Sequence, residues 1–334
     1  MNDKGMTRRN GILAIGNLLI DRTLLVAEYP QESMLTTISD VGIHCGGGCT
    51  NTLFNLAKLD PQLPLYLAGA IGKDPEGAMI LEQAAVHHIN VDDVITVDSK
   101  TSFTDVIINQ QTGDRTFFHY IGAMQKYDQR YILNINNSAK IAHFAYLPLL
   151  PGLLKNPPSV LIELFLELNR KGFLISIDLV SVTEPSIFSD YIIPILPYTD
   201  FVIINDVEAK ILTNNQEWDS SEGNLRQIAQ QIISTGVKNC VVIHSPELAV
   251  AISHTEAVIT VPSFWVEKHE VLSTLGAGDA FCSGVLYGLH HNLALHEVLK
   301  LGHALAYFNL FSLSATDGAV SYAEVESFLK KHSF

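Results

Sequence analysis

Short apolar runs recur along the chain and alternate with segments of helical pattern. "ILAIG" (12–16), "PLYLAGAIG" (64–72), "IAHFAYL" (141–147), "FLISID" (173–178), "FVIIND" (201–206) and "CVVIHS" (240–245) have the length and continuity of buried strands. Between and after them, helical spacing predicts helices at 50–59, 75–85, 160–170, 189–196, 224–234, 280–289, 295–311 and 322–331. Buried strands joined by helical crossovers imply a mainly parallel sheet covered on both faces, a three-layer α/β sandwich. Two stretches depart from this rhythm. "TLLVAEYP" with "MLTTISDVGI", and "SFTDVIINQQTGDRTFFHYI", read as β-hairpins, the second turning at Gln111–Asp114. They predict a small separate sheet, with lid segments at about 20–43 and 101–122, on a single domain spanning 1–334.

Ligands of open α/β sheets gather beyond the carboxyl ends of the strands. Here Asp21 follows the first strand, and Asp178, Asn205 and His244 end later ones. One polar strand end means little; several together favour a site along this edge.

Composition narrows the field. A chain of 334 residues that is 47% hydrophobic has ample material for a core. No apolar run reaches the roughly 18–20 residues of a membrane span, and the N-terminus does not read as a signal peptide. Four cysteines make no disulfide framework, so a reducing cytoplasm is expected. The net charge of −14 argues against a nucleic-acid or anionic-membrane partner. Such a protein would hold a phosphate through local devices, backbone amides or magnesium.

Two glycine clusters supply the devices. "STLGAGDAFCSGVLYGL" (273–289) places two glycines and an acid before an apolar helix, and "HCGGGCTNTLFNLAKL" (44–59) places three before another. Glycines there allow close backbone approach and expose helix-start amides. The bland alternative is a flexible turn before a buried helix. His44, Cys45 and Cys49 lack a second ligand pair for zinc. "GAIGKD" fails as a P-loop, since Leu67 and Asp74 occupy the places of its glycine and Ser/Thr. The pairs His87–His88 and His290–His291 read as exposed helix-end residues. Asn205 and Glu208, three apart, share a face that could hold hydrated magnesium, although an ordinary cap and surface glutamate are the commoner reading.

Together these motifs resemble the ribokinase-like (PfkB) family of carbohydrate kinases, from about 11 to 320. The family's first signature is matched by Gly46, Gly47, Asn51 and Ala57. "GAIGKDPEGAMI" looks like its G-x-x-G-x-D-x-x-G segment, "TGDRTF" like its G-E-R-T-F hairpin, and Asn205 with Glu208 like its N-x-x-E motif. The second signature, D-T-x-G-A-G-D-x-F, appears as "STLGAGDAF". The resemblance implies a ribokinase-like fold and phosphoryl transfer from ATP, with magnesium, to a hydroxyl of a sugar or sugar-like alcohol. It implies Asp279 as general base and Gly276, Ala277 and Gly278 as amide donors to the phosphoryl group. Asp21, Gly46, Gly47 and Asn51 would bind the sugar, and Asn205, His244, Ser245 and His303 the nucleotide. Glu208 and Asn205 would hold magnesium through water. A monovalent cation and a homodimer formed through the lid are compatible with it. Departures fall mainly on the nucleotide side: Ser273 for an aspartate, Pro246 and Ala249 for loop glycines, and His303 for an asparagine; Met124 replaces another asparagine. Two alternatives stand beside the sugar kinase, a catalytically silent sugar-binding protein and a nucleoside kinase. Few basic residues fall in the sugar-side segments, Arg22 and Arg115 being the exceptions, so the acceptor is expected to be unphosphorylated.

Overall fold

The computed structural model describes residues 9–332 apart from 182, 183 and 185. Residues 1–8, where the signal-peptide reading falls, lie outside them. The strands in chain order are β1 (Ile12–Gly16), β2 (Leu19–Val26), β3 (Ile38–Gly46), β4 (Leu65–Gly72), β5 (Asn90–Val97), β6 (Ser102–Asn109), β7 (Arg115–Tyr120), β8 (Ile141–Ala145), β9 (Leu174–Asp178), β10 (Phe201–Asn205), β11 (Cys240–His244), β12 (Leu248–Ser253) and β13 (Ile259–Pro262).

Nine of them form one sheet in the order β13-β12-β11-β10-β9-β8-β1-β4-β5. All neighbours from β11 to β5 run parallel, while β12 and β13 return antiparallel at the edge. The alternation of side chains splits the core into two layers. Ile12 and Ala14 pack with the helices Gly48–Leu59, Ala277–His290 and Leu295–Asn309. Leu13 and Ile15 face the helices Pro158–Arg170 and Glu222–Ser234 on the other side. Three layers result, as expected of near-continuous apolar strands. From β1 the chain order runs outward in opposite directions, through β8 on one side and β4 on the other. That reversal opens a crevice at the carboxyl ends of β1 and β8.

The small sheet has the order β3-β2-β6-β7, with β2 and β6 parallel and each outer pair antiparallel. Both expected hairpins are present in it. Asp21 is therefore not a strand-end residue of the main sheet; it lies within β2. Its register row runs His44, Asp21, Thr104, His119 across the sheet. The next row on the same face, two residues along, is Gly42, Thr23, Val106, Phe117.

Several local differences have plain causes. Of the three strands missed in the sequence, β5 and β13 are the edges of the large sheet, where continuous apolar runs are not needed, and β12 lies between β11 and β13. The expected helix at 189–196 is an irregular run, a π turn Phe188–Ile192 passing into a short helix and a 3-10 turn Leu196–Tyr198, broken by Pro194 and Pro197. His290 is not exposed. It is 7% accessible, and its Nε2 accepts from the Gly11 N–H at 2.9 Å. His87 is half-buried against the Phe54 ring. Asp74 of "GAIGKD" has a structural duty, capping the helix Pro75–Val86 through Gly77 N–H and accepting from Thr101 N–H at the approach to β6.

Candidate active site

Two helices begin at the crevice, Gly48–Leu59 and Ala277–His290. Asp279 stands in the first turn of the second and is 3% accessible. Its two oxygens have separate donors: Asn51 Nδ2 donates to Oδ2 at 2.8 Å, and the Tyr146 hydroxyl donates to Oδ1 at 2.7 Å. Gly276 caps the helix in a left-handed conformation, φ 74°, and an added Cβ would lie 2.5 Å from that of Ala315. A glycine is required there on both counts. The Ala277 N–H turns back to Thr274 O at 3.3 Å, so the expected set of amide donors is reduced by one. The Gly278 and Asp279 amides that follow are helix-start N–H groups without an i−4 acceptor, the ladder beginning with Ala280 N–H to Gly276 O at 2.8 Å, and Gly278 lines the cavity.

The cavity measures about 210 Å³ and is walled by Tyr146, Asp178, Asn205, Glu208, His244 and Asp279, among others. A more open groove of about 570 Å³ beside Gln227 and Thr235 carries only amides and hydroxyls, with no titratable group. The titratable groups line the smaller one.

Its electrostatics are those of crowded carboxyls. Burial pushes Asp279 up to about 6, against the opposing hydrogen bonds from Asn51 and Tyr146. Burial and the nearby Asp279 push Asp21 up to about 7, with Thr104 opposing. Burial likewise carries Glu208 to about 7, and Asp178 goes well above the usual range through burial, Glu208 and Asp279. The cavity wall includes no lysine or arginine. Hard carboxylate oxygens without a cation suit magnesium. Glu208 and Asn205 form a reciprocal capping box: Glu208 accepts from Asn205 N–H at 3.0 Å and from Asn205 Nδ2 at 2.7 Å, while Asn205 Oδ1 accepts from Glu208 N–H at 2.8 Å. With these contacts made, Glu208 would hold a hydrated ion through its water. Asp178 also neighbours His143 and Cys282, but both His143 nitrogens are paired, with Ser176 Oγ and Cys282 Sγ.

The remaining candidates divide. Gly46 ends β3 where an added Cβ would collide with the Asp21 carboxylate, and Gly47 caps the helix Gly48–Leu59. His244 reaches the cavity, its ring against Phe281 and its pKa lowered to about 4 by burial. Ser245 is occupied within its own turn, bonded to Glu247 and Leu248. His303 is 5% accessible, with its nitrogens on Ser263 Oγ and Val261 O, and does not line the cavity. The stretch "VVIHSPELAV" is the β11–β12 hairpin with Ala249 fully buried, rather than an open loop.

Three residues outside the expected set matter. Asp178 was visible as a strand end but had no assigned role. Tyr146 follows β8 at the crevice, and only that position could have signalled it. Arg115 of β7 donates to Thr274 Oγ1 at 3.0 Å, linking the small sheet to the loop before helix Ala277–His290. Arg22 faces away from Asp21, paired with Asp105 at 2.6 and 2.9 Å and lying over Phe103.

A large sheet with its crevice at a strand-order reversal, a glycine-capped helix start and a buried acid make this a ribokinase-type phosphotransferase fold. The model of the pfkB family carbohydrate kinases matches residues 9–321, and the chain belongs to that family. An ATP-dependent 6-phosphofructokinase of Thermoanaerobacterium thermosaccharolyticum is 23% identical over 91% of this chain and 88% of its own. Adenosine kinase 2 of Arabidopsis thaliana is 27% identical over 78% of this chain and 76% of its own. The crystal structure of ribokinase from Thermotoga maritima superposes with a TM-score of 0.77 at 20% identity, covering 96% of this chain and 99% of that one. The protein is thus a kinase whose acceptor is a sugar or a nucleoside. Among the described residues no helix is long and apolar enough to cross a membrane.

Proposed function

We propose that this kinase transfers the γ-phosphate of ATP to a hydroxyl of an unphosphorylated sugar or sugar-like alcohol, with Asp279 as general base. The observation that carries this reading is the buried Asp279 carboxylate in the first turn of a glycine-capped helix, beside amides that lack intrahelical acceptors. Phosphoryl transfer depends on positioning and on stabilising charge at the equatorial oxygens, and such amides do this without basic side chains. Asp279 takes the proton of the acceptor hydroxyl as the hydroxyl oxygen attacks. Asp21, Asn51 and the Gly46–Gly47 backbone hold the acceptor from the small sheet and the facing helix. That sheet acts as a lid, and Arg115 ties it to the phosphate loop. Magnesium, when bound near Glu208, would supply charge neutralisation at the phosphates. His244 lies on the donor side of the cavity. The exposed Val41 and Ile43 of β3 offer an apolar edge through which two lids would pair into a homodimer.

An unphosphorylated acceptor is favoured because Arg22 is committed to Asp105 and Arg115 points to Thr274. A nucleoside acceptor has one observation in its favour: Phe117, 57% accessible, shares the lid face of Asp21 and presents a ring to an incoming base.

Turnover with ATP and magnesium against free sugars, nucleosides and fructose 6-phosphate tests the reading. Preference for a free sugar supports it, and preference for a nucleoside selects the alternative. Preference for the sugar phosphate refutes the unphosphorylated acceptor. Sugar binding without turnover would mean a catalytically silent protein.

A further inference from the structure

Of the two donors on Asp279, Asn51 belongs to a recognisable motif and Tyr146 to none. Yet Tyr146 is built toward this contact. Its backbone is left-handed, φ 52° and ψ 47°, a conformation that a residue with a Cβ adopts only against a steric penalty. The turn is secured by the 3-10 segment Leu147–Leu149 with Pro148 in its first turn, and by Leu149 N–H donating to Tyr146 O at 2.8 Å. The ring needs room, and the third glycine of "GGG" gives it: a Cβ on Gly48 would come within 3.2 Å of Tyr146 Cδ1 and Cε1. Strain, turn and cleared space all deliver one phenol to the wall of the cavity.

The geometry points to Tyr146 as a positioning residue, whose phenol O–H fixes the Asp279 carboxylate against the helix start so that the acceptor meets an oriented base. The inference rests on the reading of Asp279 as base. The acids around Asp279 offer it no donor, and each is itself pushed up in part by Asp279: Asp21 from β2, Asp178 at the end of β9 and Glu208 from the helix Asp206–Leu212. Among the described residues only the Asn51 and Tyr146 side chains donate to its carboxylate. Burial and the neighbouring Asp279 and Asp178 push the Tyr146 phenol well above its ordinary range, so it remains a donor throughout. The acceptor proton passes to Asp279, and Tyr146 keeps its own.

The test is Tyr146→Phe, which removes one oxygen and keeps ring and backbone. Losing a hydrogen bond to a charged group lowers kcat about 10- to 100-fold, with the acceptor KM nearly unchanged. The acid limb of the kcat profile moves to higher pH. The Asp279 carboxyl midpoint, read by carbon NMR against Asp279→Asn without any acceptor, moves up with it. Gly48→Ala, which crowds the ring, reproduces the same signature. Unchanged kcat and midpoint in Tyr146→Phe would overturn the inference, as would a raised acceptor KM with kcat intact, which marks a substrate contact instead. If the wild type phosphorylates no acceptor, the kinase reading fails; the carboxyl midpoint still reports whether Tyr146 holds Asp279, so the two failures separate.

Discussion

Replacing Asp279 by asparagine should destroy activity and raise stability, a pairing that few substitutions at a structural acid would give. The activity side follows from general-base catalysis, which contributes about 10²- to 10⁴-fold, so kcat should fall by at least 10²-fold. The stability side follows from the burial of a charge. Raising a carboxyl from 3.8 to about 6 opposes folding by about 3 kcal/mol at neutral pH. Asparagine resembles the protonated acid and recovers much of this: its oxygen can still accept from Asn51, while the Tyr146 hydroxyl turns to accept from its NH₂. A net gain of about 1–3 kcal/mol corresponds to roughly 1.5–4 °C in Tm for a domain of this size. Turnover and scanning fluorimetry at pH 7.5 without magnesium, repeated at pH 5, are the assays. The gain should shrink at pH 5, where Asp279 is protonated in the wild type. A variant that keeps turnover within tenfold refutes the base assignment. One that melts lower than wild type at pH 7.5 refutes the electrostatic argument.

Other consequences follow from the same geometry. Gly276→Ala places a Cβ at positive φ against Ala315 and should cost about 2–4 kcal/mol, lowering Tm and slowing turnover; a neutral effect in a melt would show that the helix start is not tightly held. Asp21→Ala should raise the acceptor KM by about 10- to 100-fold, from the loss of a charged hydrogen-bond partner, while leaving the ATP KM alone. Titration calorimetry showing the reverse order would move the acceptor pocket elsewhere. Asp279, Asp21 and Glu208 all sit above their unfolded values, so their contribution is fully present below about pH 4 and is lost as pH rises through about 6 and 7. The metal-free Tm should therefore climb between pH 8 and pH 6. With Ser245 and His303 occupied by internal bonds, recognition of the base should be weak, and rates across ATP and GTP should lie within about tenfold; strict ATP selectivity in the same assay would contradict it.

The large sheet was legible because β1, β4 and β8 to β11 are buried on both faces and so carry uninterrupted apolar runs. The hairpins of the small sheet were legible from their alternation and turn. What escaped was set by tertiary context. β12 (Leu248–Ser253) is short and follows a tight turn, and its pairing with β13 through Leu248–Ala251 is a contact that local pattern does not show. Asp21 follows β1 so closely in sequence that nothing local says it crosses into another sheet. His303 sits at a motif position but packs against Phe281 and turns both nitrogens inward, which only the helix rotation decides. Tyr146 had no motif at all. Its significance lies in a left-handed backbone and a hydrogen bond to a residue 133 positions away, and neither leaves a trace in local pattern.

The carboxyls of the crevice explain why the fold tolerates so unfavourable an arrangement. Asp21 belongs to the small sheet, Asp178 ends β9 of the large one, Glu208 lies in the helix Asp206–Leu212 that follows β10, and Asp279 in the helix Ala277–His290. Asp178, Glu208 and Asp279 are buried and Asp21 is half-buried, and Asp21, Asp178 and Glu208 are each pushed up in part by Asp279. A purely structural cluster would have recruited a lysine or arginine, yet Arg115, which ties the small sheet to the loop before the helix Ala277–His290, binds Thr274 instead. Under the proposed function the charge would be neutralised from outside, by a cation on the phosphate side and by the acceptor's hydroxyl donors on the Asp21 side. Binding energy and folding energy are coupled through these groups. A metal-bound, acceptor-bound kinase should consequently gain more stability at pH 8, where all the carboxyls are ionised, than at pH 6, where several carry protons.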